Sequence, residues 1–384
     1  MSTEAALLTA VAADPDDDTA RLVYADYLEE KGGEGNTARA QFIRAQIELA
    51  RPPRRGESGA RRELLATAKR LQKQYGAEWA APVFDAAGTK NDKYWRELSY
   101  DGWERGFRNW MLFESLADLR ARAPAVLALN PITGLSVRKF DDADVRALIN
   151  EPLVRTVTRL NLCGGGWGET RISFGDETAA ALAASPNLAR LEELDLTQNR
   201  LTTEGVRVLA HSPVLTRLKR LRLYGNEIND GTYEMLARSP LGARMTAWLV
   251  DGSAGVTSEA AGILMGAKHL THIEVLSFDN TSINDSGVEA LTASSHLASV
   301  RELDFRNTNI TAAAVQRLAR ARVFANLERL NLVKTWIGTP GANALCRSKY
   351  LTKIKFLALY SAVPESAEKK LRERFGRKVE FGRI

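Results

Sequence analysis

Residues 191–201 read Leu191-Glu192-Glu193-Leu194-Asp195-Leu196-Thr197-Gln198-Asn199-Arg200-Leu201, and the phrase returns as Leu218-x-x-Leu221-x-Leu223-x-x-Asn226-x-Ile228. Further copies open at Ile273 (Leu276, Phe278, Thr281, Ile283), Val300 (Leu303, Phe305, Thr308, Ile310) and Leu327 (Leu330, Leu332, Thr335, Ile337). Met245 and Ile354 open weaker ones, so the starts fall at 191, 218, 245, 273, 300, 327 and 354, a step of 27 or 28. Inside each copy the apolar residues alternate, as in a short strand buried on one face. A helical phrase follows, for example Thr203–Ala210 or Asp285–Leu291. A fixed period of this length means units that bury their apolar faces only by stacking on one another.

L-x-x-L-x-L followed by Asn or Thr is the signature of leucine-rich repeats. Copies of this length with a full helix resemble the ribonuclease-inhibitor class. That resemblance implies an α/β fold, a horseshoe solenoid over residues 128–384 with a parallel sheet on the concave side and helices outside. The departures are Ser253 in place of Asn, with one added residue, in the Met245 copy, and Ala362 in the last copy. Upstream, Phe107-x-x-Trp110-x-Leu112, Ile132-x-x-Leu135-x-Val137 and Val157-x-x-Leu160-x-Leu162 read as irregular first turns, since a terminal repeat must cover an exposed core end. The glycine-rich Gly164–Thr170 stretch, carrying Trp167, is a surplus before the 191 copy and reads equally as a ligand-contacting insertion or a surface excursion.

Residues 1–76 read as short helices. The first covers Thr3–Ala13 and ends at Pro15. Asp16 or Asp17 caps the second, which stops at Gly32-Gly33. Asn36 or Thr37 caps the third, which ends at Pro52-Pro53. The fourth runs from Ser58 to Tyr75 and stops at Gly76. Residues 77–127 connect this all-α part to the repeats, and Asp101-Gly102 reads as a tight turn. Trp79, Trp95, Trp103, Phe107, Trp110 and Phe113 crowd the connection and are expected to pack as a cap rather than form a ligand cage. Asp26 and Arg44 are expected to pair across the second and third helices; a groove around Tyr24, Asp26, Arg44 and Gln46 is the functional alternative.

The strings Glu4-Ala5-Ala6-Leu7-Leu8, Asp14-Pro15-Asp16-Asp17-Asp18, Arg21-Leu22-Val23-Tyr24-Ala25-Asp26-Tyr27-Leu28-Glu29-Glu30 and Gln41-Phe42-Ile43-Arg44-Ala45-Gln46 resemble the repeat-companion domain of planctomycete and myxobacterial proteins. The resemblance implies a bacterial origin and an architecture, and it transfers no catalytic residue.

The composition is that of an ordinary globular protein, 45% apolar and 26% charged, with no apolar run that spans a bilayer, and the mildly apolar Ala5–Ala13 stretch reads as a poor secretion signal. A cytoplasmic location follows as the expectation. Cys163 and Cys346 fall in different repeats and form no disulfide framework. Cys163 at a strand position is a lone thiol without a base, and Cys346 is expected to be buried in a helix packing site. His211, His269, His272 and His296 have no nucleophile in register. Asp14, Asp16 and Asp18 recur at calcium-loop spacing, but Thr19 stands where glycine is needed and Ala25 where the bidentate glutamate is needed. No catalytic residue, cofactor or metal is expected.

In each strand phrase the residues between the leucines turn to the exposed side. That row predicts a protein-binding surface at Arg220, Arg222, Tyr224, Asp251, Asp304, Arg306, Arg329, Asn331, Phe356 and Tyr360, because arginine and tyrosine are favoured at interface hot spots and the phrase itself requires neither. The expected function is therefore a non-enzymatic scaffold for an unidentified protein partner. The alternative is nucleic-acid association: the net charge is +6, and basic residues cluster at Arg51–Lys73 and at Lys369–Lys378.

Overall fold

The computed structural model of the chain describes residues 2–52, 57–88, 103–165, 173–252, 256–360 and 363–382. They form two compact units, Met1–Phe140 with Asn150–Asn161, and Asp141–Ile149 with Leu162–Ile384. The predicted Asp101-Gly102 turn, Trp95, Gly166–Thr170, Ser253, Ala362 and the side chain of Tyr360 lie outside the described residues.

The first unit opens with α1 (Thr3–Ala13), started by Ser2, whose hydroxyl accepts from the Ala5 N–H at 3.2 Å. Asp17 starts α2 (Asp18–Lys31) by accepting from the Thr19 N–H at 2.8 Å. The third helix departs from its expected cap. α3 (Glu34–Ala50) begins behind Gly33, and Asn36 lies inside its first turn, donating its amide back to the Gly32 carbonyl at 2.7 Å. α4 (Ser58–Ala87) continues past Gly76 and through Pro82, ending at Gly88 with φ 66°. Gly76 and Pro82 cost a helix interior about 1 and about 3 kcal/mol. The buried stripe Ala68, Leu71, Ala80, Val83 and Ala87 runs past both positions, and tertiary packing outweighs propensity.

A hairpin joins the helices to the first strands. β1 (Trp103–Glu104) pairs antiparallel with β2 (Phe107–Arg108) across Arg105 (φ 48°) and Gly106 (φ 87°), the two left-handed residues such a tight hairpin needs. Gly106 is obligatory twice over. Its φ of 87° is strained for any side chain and a Cβ there would fall 2.3 Å from the Ile43 side chain; its N–H donates to Gln46 Oε1 at 2.6 Å. Phe107 enters the core of Leu8, Val11, Tyr24, Leu28 and Ile43. It is therefore part of the helical module rather than a repeat position.

The first repeat strand is shifted accordingly. β3 (Trp110–Ser115) is followed by α5 (Leu116–Leu127), β4 (Gly134–Lys139) and β5 (Arg159–Asn161), with all three strands parallel. Met111 stands opposite Leu135 and Phe113 opposite Val137, so the expected alignment of Trp110 and Leu112 with those positions is off by one residue. A one-residue slip exchanges the two faces of a strand. Met111 and Phe113 fill the core, and Trp110 turns to the other face, where it lies across Gly134.

The second unit contains α6 (Asp142–Leu148) and α7 (Asp176–Ala184), then alternates strand and helix: β6 (Glu193–Asp195), α8 (Thr203–Ala210), β7 (Arg220–Arg222), α9 (Asp230–Ala237), β8 (Ala247–Leu249), α10 (Glu259–Gly266), β9 (Val275–Ser277), α11 (Asp285–Ala293), β10 (Glu302–Asp304), α12 (Ala312–Arg320), β11 (Arg329–Leu332), α13 (Gly338–Arg347), β12 (Phe356–Tyr360), α14 (Glu365–Phe375) and β13 (Val379–Gly382). β6 pairs with β7, and β8 to β13 form one parallel sheet with Leu276, Leu303, Leu330 and Leu357 in register. β13 was not foreseen, because Val379-Glu380-Phe381 lacks the repeat phrase. Cys346 is only partly buried in α13, contrary to expectation.

Three periodic devices hold these repeats together. The residue before each conserved-phrase Asn or Thr is left-handed: Gln198, Gly225, Asn280, Asn307 and Lys334 all have φ between 52° and 68°. The Asn side chains bridge neighbouring repeats. Asn199 donates to the Leu162 and Leu196 carbonyls at 2.9 and 3.0 Å and accepts from the Phe174 N–H at 3.1 Å. Where Thr replaces Asn, its hydroxyl reaches only its own repeat, as Thr308 does to the Phe305 carbonyl at 2.7 Å. On the helix side, Asp176, Asp230 and Asp285 each accept from the N–H and hydroxyl of a threonine at the start of the next helical phrase, Thr202, Thr257 and Thr311.

Candidate functional site

Strand alternation carries the exposed row of the second unit onto one face of the sheet, and the row proves to be internally paired. Arg220 stands 3.5 Å from Glu193, Arg222 3.9 Å from Asp195, and Arg329 3.5 Å from Glu302. Arg306 donates from Nε to Asp279 at 2.9 Å, and Asn331 donates to Asp304 at 2.9 Å. The guanidinium of Arg329 also lies 4.5 Å from the centre of the Phe356 ring. Each partner sits at the same strand position one repeat away, so register alone produces the ladder. The premise that nothing in the fold uses arginines on this face is corrected: they neutralise a carboxylate on the neighbouring strand. Glu193, Asp195, Asp279 and Glu302 were the members missed, and their signal was opposite charge at a spacing of one period.

The middle of the row differs from its ends. Ala247, Leu249 and Ser277 are buried, which leaves a low floor of small and apolar groups. Tyr224 lies against Gly252, where a Cβ would fall 1.5 Å from its ring. Asp251 accepts from the Asp279 N–H at 3.1 Å. Burial, reinforced by the charges of Asp279 and Asp304, pushes the Asp251 carboxyl up to about 6. Burial also raises Asp304, against hydrogen bonds from the Arg306 N–H and the Asn331 amide. Asp279 raises Arg306. Asp251, Asp279 and Asp304 gather around Arg306, with Arg222 also acting on Asp251, so that among the described residues the carboxylates outnumber the guanidiniums there.

The remaining candidates have structural roles. Burial pushes the Cys163 thiol up to about 12, with Asp195 adding to the effect, and the thiol donates to the Gly164 carbonyl at 3.4 Å. A thiol held protonated is a poor nucleophile. His269 and His296 each place Nε2 2.9 and 2.8 Å from a carbonyl in the preceding repeat, Ala237 and Leu264 respectively. Asp16 and Asp18 flank the Arg105 guanidinium, which occupies the space a cation would take. Arg44 pairs with Asp26 at 2.6 Å, as expected, and with Glu29 at 2.8 Å, on the surface. Tyr24 and Gln46 turn inward from that pair, Tyr24 against Phe107 and Gln46 to Gly106, so the four do not line one groove.

A family profile described as Leucine Rich repeat matches residues 190–210, 269–291 and 325–346. The second unit is a leucine-rich-repeat solenoid. Among solved structures the chain is similar to an internalin, inlF, from Listeria monocytogenes str. 4b F2365, at 15% identity over 70% of this chain and 76% of that one, with a TM-score of 0.37. It is also similar to a chain of the yeast Rad7 and Elc1 complex, at 14% identity over 84% and 91% of the two chains, with a TM-score of 0.47. No curated protein sequence matches the chain. Among the described residues no helix is long and apolar enough to cross a membrane, and no cluster of side chains is suited to hold a metal ion.

Proposed function

We propose that this chain is a non-enzymatic interaction scaffold whose exposed strand face, from Arg220 to Tyr360, receives a protein partner. The observation that carries this reading is the acidic surplus of Asp251, Asp279 and Asp304 over a low floor, flanked by Tyr224 on one side and by Arg329 with Phe356 on the other. A preorganised row on short parallel strands orders few side chains on binding. The negative centre suits a basic anchor residue of the partner, and complementary charge steers encounter and sets register. The helical module of residues 1–76 is, in this reading, a repeat-companion domain that accompanies the scaffold.

The basic segments give less support to nucleic-acid binding than their charge suggests. Arg61 donates to the Glu48, Leu49 and Arg51 carbonyls, and Arg51 pairs with Glu48 at 3.0 Å. Arg374 donates to the Cys346 and Ser348 carbonyls, and Arg372 lies 4.8 Å from the centre of the Phe381 ring. Each of these charges has an internal use. The test is retention of partners from native lysate by the wild-type chain and by Asp279→Lys/Asp304→Lys at matched thermal stability. Loss of a protein with the variant supports the scaffold. Equal retention by both removes the strand face, and salt-released nucleic acid in its place restores the alternative.

A further inference from the structure

Arg39, in the middle of α3, has no hydrogen bond or ion pair among the described residues of the first unit. Its guanidinium sits in the corner formed by the rings of Trp79 and Trp103, 4.8 and 4.7 Å from their centres, the two rings meeting edge to face at 76°, with Phe107 at 5.4 Å. Contact with aromatic rings attracts the cation but satisfies none of the five N–H donors of a guanidinium. Nη1 is shut off from solvent without a hydrogen-bond partner, and among the described residues no acceptor or carboxylate meets the group. Arg21, by contrast, donates to the Asp17 carbonyl at 3.0 Å, and Arg61 and Arg374 cap the ends of their neighbouring helices, although Arg21 too keeps a buried Nε without a partner. Burial pushes Arg39 down to about 9, which leaves it charged at neutral pH and uncompensated. A buried charge that lacks its counter-ion is costly, and such groups mark sites where the counter-ion comes from elsewhere.

Arg39 also lines a pocket of about 450 Å³, together with Tyr24, Asn36, Leu8, Leu28 and Val83. The volume falls in the range of small-molecule sites, and the open lining mixes apolar side chains with polar and charged ones. Glu4, at the rim, is already engaged by Lys31 at 2.7 Å and by the Tyr24 hydroxyl at 3.3 Å. Glu78 lines the same pocket without an ion pair among the described residues, and it is not bonded to Arg39.

We propose that this pocket binds a small carboxylate carried on an apolar body, with the carboxylate on the edge of the Arg39 guanidinium and the body against Leu8, Leu28 and Val83. Trp79 and Trp103 wall the guanidinium on two sides and restrict its movement, which lowers the ordering cost of a charge-assisted contact with a carboxylate. A free acid and an amino acid share this chemistry. The second would also place its ammonium toward Glu78.

The test is calorimetric titration of the full chain with 3-phenylpropionate, with L-phenylalanine and with the neutral 3-phenylpropanamide. Saturable binding of either acid, about tenfold or more tighter than the amide, is the expected result, and the stronger of the two identifies the source. Arg39→Gln should abolish the preference. Leu129→Glu, on the exposed rim of the pocket, keeps Arg39 in place and should weaken both acids several-fold by placing a like charge at the mouth, so the proposal stays testable if Arg39→Gln does not fold. Absence of saturable binding by both acids, binding that is equal for the amide, or binding unchanged by Leu129→Glu would overturn it.

Discussion

The Nε of Arg306 stands 2.9 Å from Oδ1 of Asp279, 27 residues earlier on the adjacent strand phrase. The same one-period separation joins Arg220 to Glu193, Arg222 to Asp195 and Arg329 to Glu302. These pairs are partly exposed, with Arg306 at 53% and Asp279 at 17% side-chain exposure, so each is weak by itself. A double-mutant cycle of Arg306→Met and Asp279→Asn should give a coupling of about 0.5–1 kcal/mol that shrinks in high salt. A coupling indistinguishable from zero in low salt would mean that the row is not a ladder in solution.

The Asn and Thr forms of the repeat should differ in worth. Asn199→Ala strands the Leu162 carbonyl and the Phe174 N–H, while the Leu196 carbonyl keeps its bond from Asn226, and should cost about 2–3 kcal/mol. Thr308→Val removes one bond inside its own repeat and should cost about 1 kcal/mol. Hydrogen exchange distinguishes them further. The Asn199 variant should open amides in both repeats it joins, and the Thr308 variant only those around Phe305.

Lys334 occupies the left-handed position with φ 56° and an exposed side chain. A non-glycine residue there is strained by about 1 kcal/mol. Lys334→Gly relieves that strain and gives back part of it as chain entropy, so the variant should be neutral to about 1 kcal/mol more stable in denaturant titration. A loss of stability would show that Lys334 does something the backbone does not reveal.

Asp251 makes stability depend on pH. Its folded value, about 6, lies above the ordinary 3.8, so the fold disfavours the charged form. The contribution is therefore complete below about 3.8 and is lost as pH rises through about 6. Asp251→Asn should be more stable than wild type by about 1–2 kcal/mol near pH 8, and the difference should vanish near pH 3.5. Thermal midpoints of the two proteins across that range check the sign. A variant less stable than wild type at high pH contradicts it.

Much of this was written in the leucine pattern, since a two-residue alternation within a 27-residue period places each strand and tells which side chains face out. The left-handed residue was hidden because five different contexts supply it, from Gly225 to Lys334, and only glycine and asparagine advertise the conformation. The register of β3 was hidden for another reason. Phe107 and Trp110 have the right hydrophobicity, but Phe107 serves the helical core and Trp110 covers the other face of the strand, and hydrophobicity does not say which side a residue joins. α4 outran its glycine and proline because packing exceeds propensity. Arg39 sits in plain view between Ala38 and Ala40, yet only the approach of Trp103, distant in the chain, turns it from a surface arginine into a partly buried one with Nη1 shut off from solvent. The ladder of acids and arginines was legible as charges but not as pairs until the strands were aligned.

The most direct test of the scaffold is site-specific photocrosslinking in native lysate. A benzoylphenylalanine at Arg222, on the strand face, is compared with one at Ala313, exposed on α12. The account predicts a discrete protein adduct from position 222, abolished by Asp279→Lys/Asp304→Lys, and none of that mass from position 313. The same adduct from both positions, or from position 313 alone, would contradict recognition on the strand face.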